Sequence, residues 1–188
     1  MNILIAVASR HGSTRGIADA IAQELASFGD TAIVRDSGEV TDLETYDAAV
    51  VGSAIYMGSW LPEARRFVQR NRDRLSTMPV WLFSSGPLGA SDPQPKNDPA
   101  QFEELIQASG ACAHRIFVGK LDKNDLGFGE RLAVKMVKAP EGDFRDWETI
   151  RDWAREIASD LATVARSDSS STGGTNGNRA TVSGAVRS

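Results

Sequence analysis

Ser9-Arg10-His11-Gly12-Ser13-Thr14 comes straight after the apolar run of residues 2–8, Asn-Ile-Leu-Ile-Ala-Val-Ala, and straight before a segment in which Ile17, Ile21, Leu25 and Phe28 recur at helical spacing until Gly29. A buried strand, a loop of small residues and an amphipathic helix, in that order, are the unit from which parallel α/β sheets are built. The loop of such a unit is also a natural phosphate site. The first amides of a helix have no intrahelical partner and carry partial positive charge, and Gly, Ser and Thr let the backbone wrap an anion while adding hydroxyl donors.

The loop is not a dinucleotide fingerprint, since G-x-G-x-x-G is absent, and it is not a Walker A loop, since no Gly-Lys-Ser/Thr follows. Its form is Ser-x-x-Gly-x-Thr. Taken alone, it reads equally as a phosphate loop and as an ordinary strand-to-helix turn with Ser13 as N-cap.

Working outward, residues 31–35 read as a second strand, and residues 46–53, with Ala48-Ala49-Val50-Val51, as a third that is buried on both faces. Residues 62–75 read as a helix with Pro62 in its first turn. Residues 79–84 make a fourth strand, residues 99–109 a helix ended by Gly110, and residues 115–121 a fifth strand. Trp147, Ile150, Trp153, Ile157, Leu161 and Val164 line one face of a long closing helix. Five strands alternating with helices predict an α/β, doubly wound parallel sheet, with the order 2-1-3-4-5 and a ligand crevice where strands 1 and 3 part. Two further loops reach that crevice. After strand 3 comes Ala54-Ile55-Tyr56-Met57-Gly58-Ser59-Trp60, and after strand 4 comes Ser85-Gly86-Pro87-Leu88-Gly89-Ala90-Ser91-Asp92.

Three stretches together, the opening loop, the Gly52-to-Gly58 turn and the closing Asp146-Trp147-Glu148…Trp153-Ala154-Arg155-Glu156-Ile157-Ala158 helix, resemble the flavodoxin superfamily. Within it they resemble the branch containing menaquinone-dependent protoporphyrinogen IX dehydrogenase. The resemblance covers residues 1–165 and implies a flavodoxin-like fold with FMN as cofactor. It implies that Ser9, Arg10, His11, Gly12, Ser13 and Thr14 hold the FMN phosphate. Ala54, Ile55, Tyr56, Met57 and Gly58, with Ser85, Gly86, Pro87, Leu88 and Gly89, then flank the ring. Tyr56 and Trp60 are both candidates to cover a ring face, or to pack beneath the loop; Arg10 is expected to be solvated.

Residues 122–146, between strand 5 and the last helix, exceed what a minimal domain of this type needs. Within them Phe128, Leu132 and Met136 share a helical stripe, flanked by Ala133 and Val137, with Arg131, Lys135 and Lys138 available to a basic face, which predicts a helical insertion. The resemblance implies substrate or membrane contact there. Asp122, Asp125, Glu130, Glu141 and Asp143 oppose an anionic lipid surface, which favours a helix merely docked on the domain over peripheral membrane attachment. Because the segment leaves from the same strand-end face as the flavin loops, a wall to a substrate pocket is a further reading of it.

Composition narrows the function classes. The chain has 188 residues and net charge −4, with 21 basic residues against 25 acidic ones and no basic stripe, which disfavours nucleic acid as a partner. Cys112 is the single cysteine, so no internal disulfide forms, and Ala111-Cys112-Ala113 reads as a small buried packing position. His11 and His114 share no metal-ligand spacing. No segment reaches the about 18 apolar residues of a spanning helix, and no secretory signal opens the chain, so a cytoplasmic protein is expected. Residues 166–188, rich in Ser, Gly and Thr, read as a disordered tail.

The leading expectation is thus an FMN-dependent oxidoreductase of the resembled type, passing electrons from a small-molecule reductant, such as a porphyrinogen, to a quinone or protein acceptor. The alternative is a flavodoxin-type electron carrier without its own small-molecule substrate. A flavin-free signalling or scaffold domain ranks third, and strand 1 ends without the acidic pair that a receiver domain would need.

Overall fold

The parallel sheet runs β2-β1-β3-β5-β6, with β1 Asn2–Ala8, β2 Thr31–Asp36, β3 Ala48–Tyr56, β5 Val80–Ser85 and β6 Ala113–Phe117. A two-residue strand, β4 (Ser59–Trp60), returns antiparallel on the end of β3. Counting only the parallel strands, this is the expected 2-1-3-4-5 order, and the doubly wound fold class holds. The computed structural model describes residues 1–56, 58–86, 99–121 and 142–171.

The alternation of β1 explains why the sheet has helices on both faces. Ile3, Ile5 and Val7 join a core with Ile17, Ile21 and Leu25 of α1 (Ser13–Ser27) and with Ile150, Trp153, Ile157 and Leu161 of α5 (Trp147–Ser171). Leu4, Ala6 and Ala8 join the opposite core with Phe67 and Val68 of α2 (Pro62–Arg70), Leu75 of α3 (Arg72–Leu75) and Phe102 and Leu105 of α4 (Pro99–Ser109). Burying Ile150, Ile157 and Leu161 alone contributes about 1.5–3 kcal/mol each relative to exposure. Asp146 caps α5, its carboxylate accepting from the Glu148 and Thr149 amides and from the Thr149 hydroxyl. Those bonds, the Thr149 amide first, hold its pKa below the usual carboxylate value.

Packing across the sheet is close enough to dictate a glycine. An ideal Cβ on Gly52 would lie 2.1 Å from ring atoms of Phe83, its register partner on β5. With that space open, Phe83 meets Trp153 at 6.2 Å and Phe117 at 6.1 Å between centroids, and Phe117 meets Trp153 at 5.5 Å. These edge-on and tilted contacts seat α5 on the sheet.

Several boundaries depart from the sequence reading. The helix expected over residues 62–75 breaks at Asn71, whose φ of −108° and ψ of 11° lie outside the helical range, while its side-chain amide donates to the Phe67 carbonyl. The third strand runs three residues further than expected, through Tyr56. The fifth strand stops at Phe117, and Lys120–Leu121 forms a separate strand, β7, paired antiparallel with β8 (Gly142–Asp143). The stripe around Phe128 to Val137 lies outside the described residues. The last helix continues through Ser171, so residues 166–171 of the expected tail are helical backbone, and residues 172–188 lie outside the described residues. Phe28, counted on the α1 stripe, is 58% exposed, because the helix ends at Ser27 and Phe28 turns outward as its C-cap.

Cys112 corrects another expectation. It is exposed rather than buried, since it falls in the turn before β6, where its backbone N–H donates to the Val80 carbonyl at 2.7 Å and its side chain faces away from the core. Among the described residues no helix is long and apolar enough to cross a membrane.

Candidate functional site

The β1–α1 loop is shaped by Gly12. It precedes α1 with φ 78° and ψ −14°, a left-handed conformation that L side chains rarely adopt, and no side chain caps the helix. Ser13, the N-cap of the ordinary-turn alternative, is instead the first helical residue. With no side-chain cap, the amides at the start of α1 stay available to an outside acceptor. Thr14 is buried beside them.

Ser9 is the most informative residue of the loop. Its Oγ is buried and has no hydrogen-bond partner among the described residues. A buried hydroxyl left unpaired costs about 1–3 kcal/mol, so such a group is a candidate to meet a ligand. A second such hydroxyl, Ser37 just past β2, lies on the outer side of β1, away from the β1/β3 parting.

The expected second loop is a hairpin. Ile55 pairs with Trp60 and Tyr56 with Ser59, so Ala54, Ile55 and Tyr56 are strand residues and Gly58 lies in the turn; Met57 lies outside the described residues. The hairpin decides between the two aromatics. Trp60 is 1% exposed and its Nε1 donates to Ser84 Oγ at 2.7 Å, so it is a core residue. Tyr56 is 39% exposed at the strand end, with the Arg10 guanidinium carbon 4.4 Å from its ring centroid. Arg10 is therefore stacked on an aromatic face rather than simply solvated. The same hairpin is anchored by Ser53 Oγ, which accepts from the Leu61 amide at 2.9 Å.

Of the third loop, Ser85 ends β5 and the Gly86 N–H donates to the Phe117 carbonyl at 2.9 Å; Pro87, Leu88 and Gly89 lie outside the described residues. Gly119 is wedged where the elements converge. A Cβ there would lie 3.2 Å from Ser85 Oγ, 3.4 Å from Ser13 Oγ and 3.8 Å from the Gly86 nitrogen. The first and third loops thus meet against the turn after β6.

Two contributors had no signal in the sequence. The Lys120 backbone N–H donates to Ser13 Oγ at 2.8 Å, and Arg145 Nη1 donates to the Ser13 carbonyl at 3.3 Å. Arg145 is held by Asp143, Nε to Oδ1 at 2.8 Å, and its guanidinium carbon lies 4.3 Å from the Trp147 ring centroid. The hydrogen bonds from Arg145 hold the Asp143 carboxyl below the usual carboxylate range.

Beneath the hairpin, Ser84 Oγ is also 2.8 Å from His114 Nε2, and the imidazole stacks on Phe102 with centroids 5.0 Å apart. Ser84 Oγ thus accepts from Trp60 and shares a second hydrogen bond with the imidazole, joining β4, β5 and β6 through one hydroxyl. Burial lowers the pKa of His114.

The chain resembles known proteins along most of its length. Protoporphyrinogen IX dehydrogenase [quinone] of Escherichia coli (strain K12) is 28% identical over 175 residues, covering 84% of this chain and 95% of that protein. Oxidised flavodoxin 2 from Bacillus cereus superposes with a TM-score of 0.52 at 24% identity, over 84% of this chain and 97% of that one. A mutant flavodoxin from Pseudomonas aeruginosa gives 0.54 at 16% identity, over 85% and 97%. The Flavodoxin domain family matches residues 4–148, and with the strand order and the strand-end loops already described, the chain belongs to that family.

Proposed function

We propose that the chain binds FMN at the parting of β1 and β3 and works as an FMN-dependent oxidoreductase, passing electrons from a reduced small molecule of the porphyrinogen type to a quinone-type acceptor. The observation that carries the cofactor reading is the hydroxyl of Ser9 in the loop that starts α1, buried and without a partner among the described residues. A phosphate ester gives that hydroxyl an acceptor and meets the uncapped amides of the helix start. The substrate class rests on the Escherichia coli relative, which aligns over 95% of its own length.

Ser9, Arg10, His11, Gly12, Ser13 and Thr14 are the phosphate-holding residues of this reading. Ala54, Ile55, Tyr56, Met57, Gly58, Ser85, Gly86, Pro87, Leu88 and Gly89 flank the ring. Tyr56 supplies an exposed aromatic face and Arg10 a cation beside it. When bound, FMN supplies reversible one- and two-electron chemistry that no protein side chain provides. The chain's own part is to fix the phosphate, orient the ring between the β3 and β5 strand ends, and exclude water from its faces. Trp60 supports this from below, because its bond to Ser84 keeps the β3–β4 hairpin against the sheet.

Two measurements test the reading in sequence. Purified protein is expected to carry a flavin absorbance spectrum or to acquire it on adding FMN; failure to take up FMN overturns the proposal. The FMN-loaded protein is then expected to oxidise protoporphyrinogen IX in the presence of a menaquinone analogue faster than the uncatalysed rate. FMN binding with turnover at background moves the function to the electron carrier.

A further inference from the structure

Ser13 is bonded twice by the chain that follows the edge strand. Its hydroxyl oxygen accepts from the Lys120 N–H, and its carbonyl accepts from Arg145. Lys120 and Asp143 face each other in the β7–β8 ladder, and the Phe144 N–H returns to the Gly119 carbonyl at 3.3 Å. One small hairpin stem therefore stands on the first residue of α1.

One contact is on a hydroxyl that a phosphate would use, and the other is on the peptide that carries the next donor. An oxygen that accepts from Lys120 keeps one proton to give, its position is fixed, and the accepted bond strengthens it as a donor. The Ser13 carbonyl shares a rigid peptide plane with the Thr14 N–H, so holding the carbonyl aims that amide. Thr14 N–H is among the helix-start donors with no intrahelical partner.

Arg145 is placed for this task rather than left at the surface. Its side chain is 12% exposed, pinned by Asp143 and stacked on Trp147. A lone cation at a helix N-terminus is unfavourable, and Asp143 offsets it. The guanidinium crosses α1 over Gly16, where an ideal Cβ would lie 2.6 Å from Nη1. Gly16 leaves the passage open.

We propose that Arg145 is a positioning residue for phosphate-ester recognition, which with the Lys120 amide holds Ser13 so that its hydroxyl proton and the Thr14 N–H face the phosphate. The β7–β8 stem and the phosphate loop are one mechanical unit joined at Ser13. This rests on the FMN reading above and adds residues outside the loop to it.

FMN and riboflavin, which differ by the phosphate, are titrated by flavin fluorescence into wild-type protein, Arg145→Gln and Gly16→Ala. The second variant leaves Arg145 in the chain, suits a helix, and displaces only the guanidinium tip. Both variants are expected to weaken FMN about tenfold, as for the loss of one charged hydrogen bond, and to leave riboflavin within about twofold. Exchange of the Lys120 amide, measured without flavin, is expected to quicken in both. Equal weakening of FMN and riboflavin, FMN affinity unchanged, or Lys120 exchange unchanged overturns the proposal while wild-type FMN binding keeps the cofactor reading. Wild-type protein that takes up neither flavin overturns both.

Discussion

At the scale of single residues, the loop read first in the sequence is also where the structure leaves a polar atom unsatisfied. Ser9 Oγ, buried without a partner among the described residues, destabilises the ligand-free protein and has its use against an acceptor that those residues do not supply. Ser9→Ala is therefore expected to raise the melting temperature of flavin-free protein, by up to about 1 kcal/mol of stability, and to weaken FMN about tenfold. Thermal melts with and without FMN read both effects, and their opposite signs separate a ligand-binding hydroxyl from a packing one. The sequence identified Ser9 because strand, loop and helix are contiguous. It did not mark Arg145 or Lys120, since the bond from Lys120 to Ser13 spans 107 residues and no local pattern encodes a separation of that kind. Trp60 and Tyr56 looked alike in the sequence; only the β3–β4 pairing sends one indole into the core and leaves the phenol at the surface.

At the scale of elements, apolar periodicity located every strand of the parallel sheet and every long helix among the described residues, because both are set by which faces must leave water. Ends were less legible. The β3 extension to Tyr56 depends on β4 folding back, and the break at Asn71 depends on a side-chain amide competing for the Phe67 carbonyl. Gly52 shows how tightly neighbouring elements constrain each other. Gly52→Ala places a methyl 2.1 Å from the Phe83 ring, whose body rather than a flexible tip fills the space. Overpacking of this sort is expected to cost about 1–3 kcal/mol, read as a lower urea midpoint, with an added loss of the near-ultraviolet signal from the Phe83–Trp153 contact.

At the scale of the whole molecule, stability is linked to pH through the interior between β5, β6 and α4. Burial holds the pKa of His114 below the ordinary histidine value of 6.5. Above pH 6.5 folded and unfolded chains are both neutral at this position, so the term vanishes. As pH falls below 6.5 the unfolded chain takes up the proton first and stability falls, until the folded-state pKa is passed. Urea midpoints measured on both sides of pH 6.5 are expected to decline on the acid side, and His114→Gln, which keeps a hydrogen-bonding partner for the Ser84 hydroxyl without an ionisable ring, is expected to flatten that decline. The topology carries one more consequence, for synthesis. β1 precedes both of its neighbours in the chain, yet it sits between them. Ile3, Leu4, Ile5 and Ala6, fully shielded in the finished fold, emerge from the ribosome before residues 31–36 and 48–53 exist to cover them. Until those partners arrive, the growing chain carries an unpaired apolar strand, and its yield is expected to depend on holding chaperones and on the speed of translation through β3.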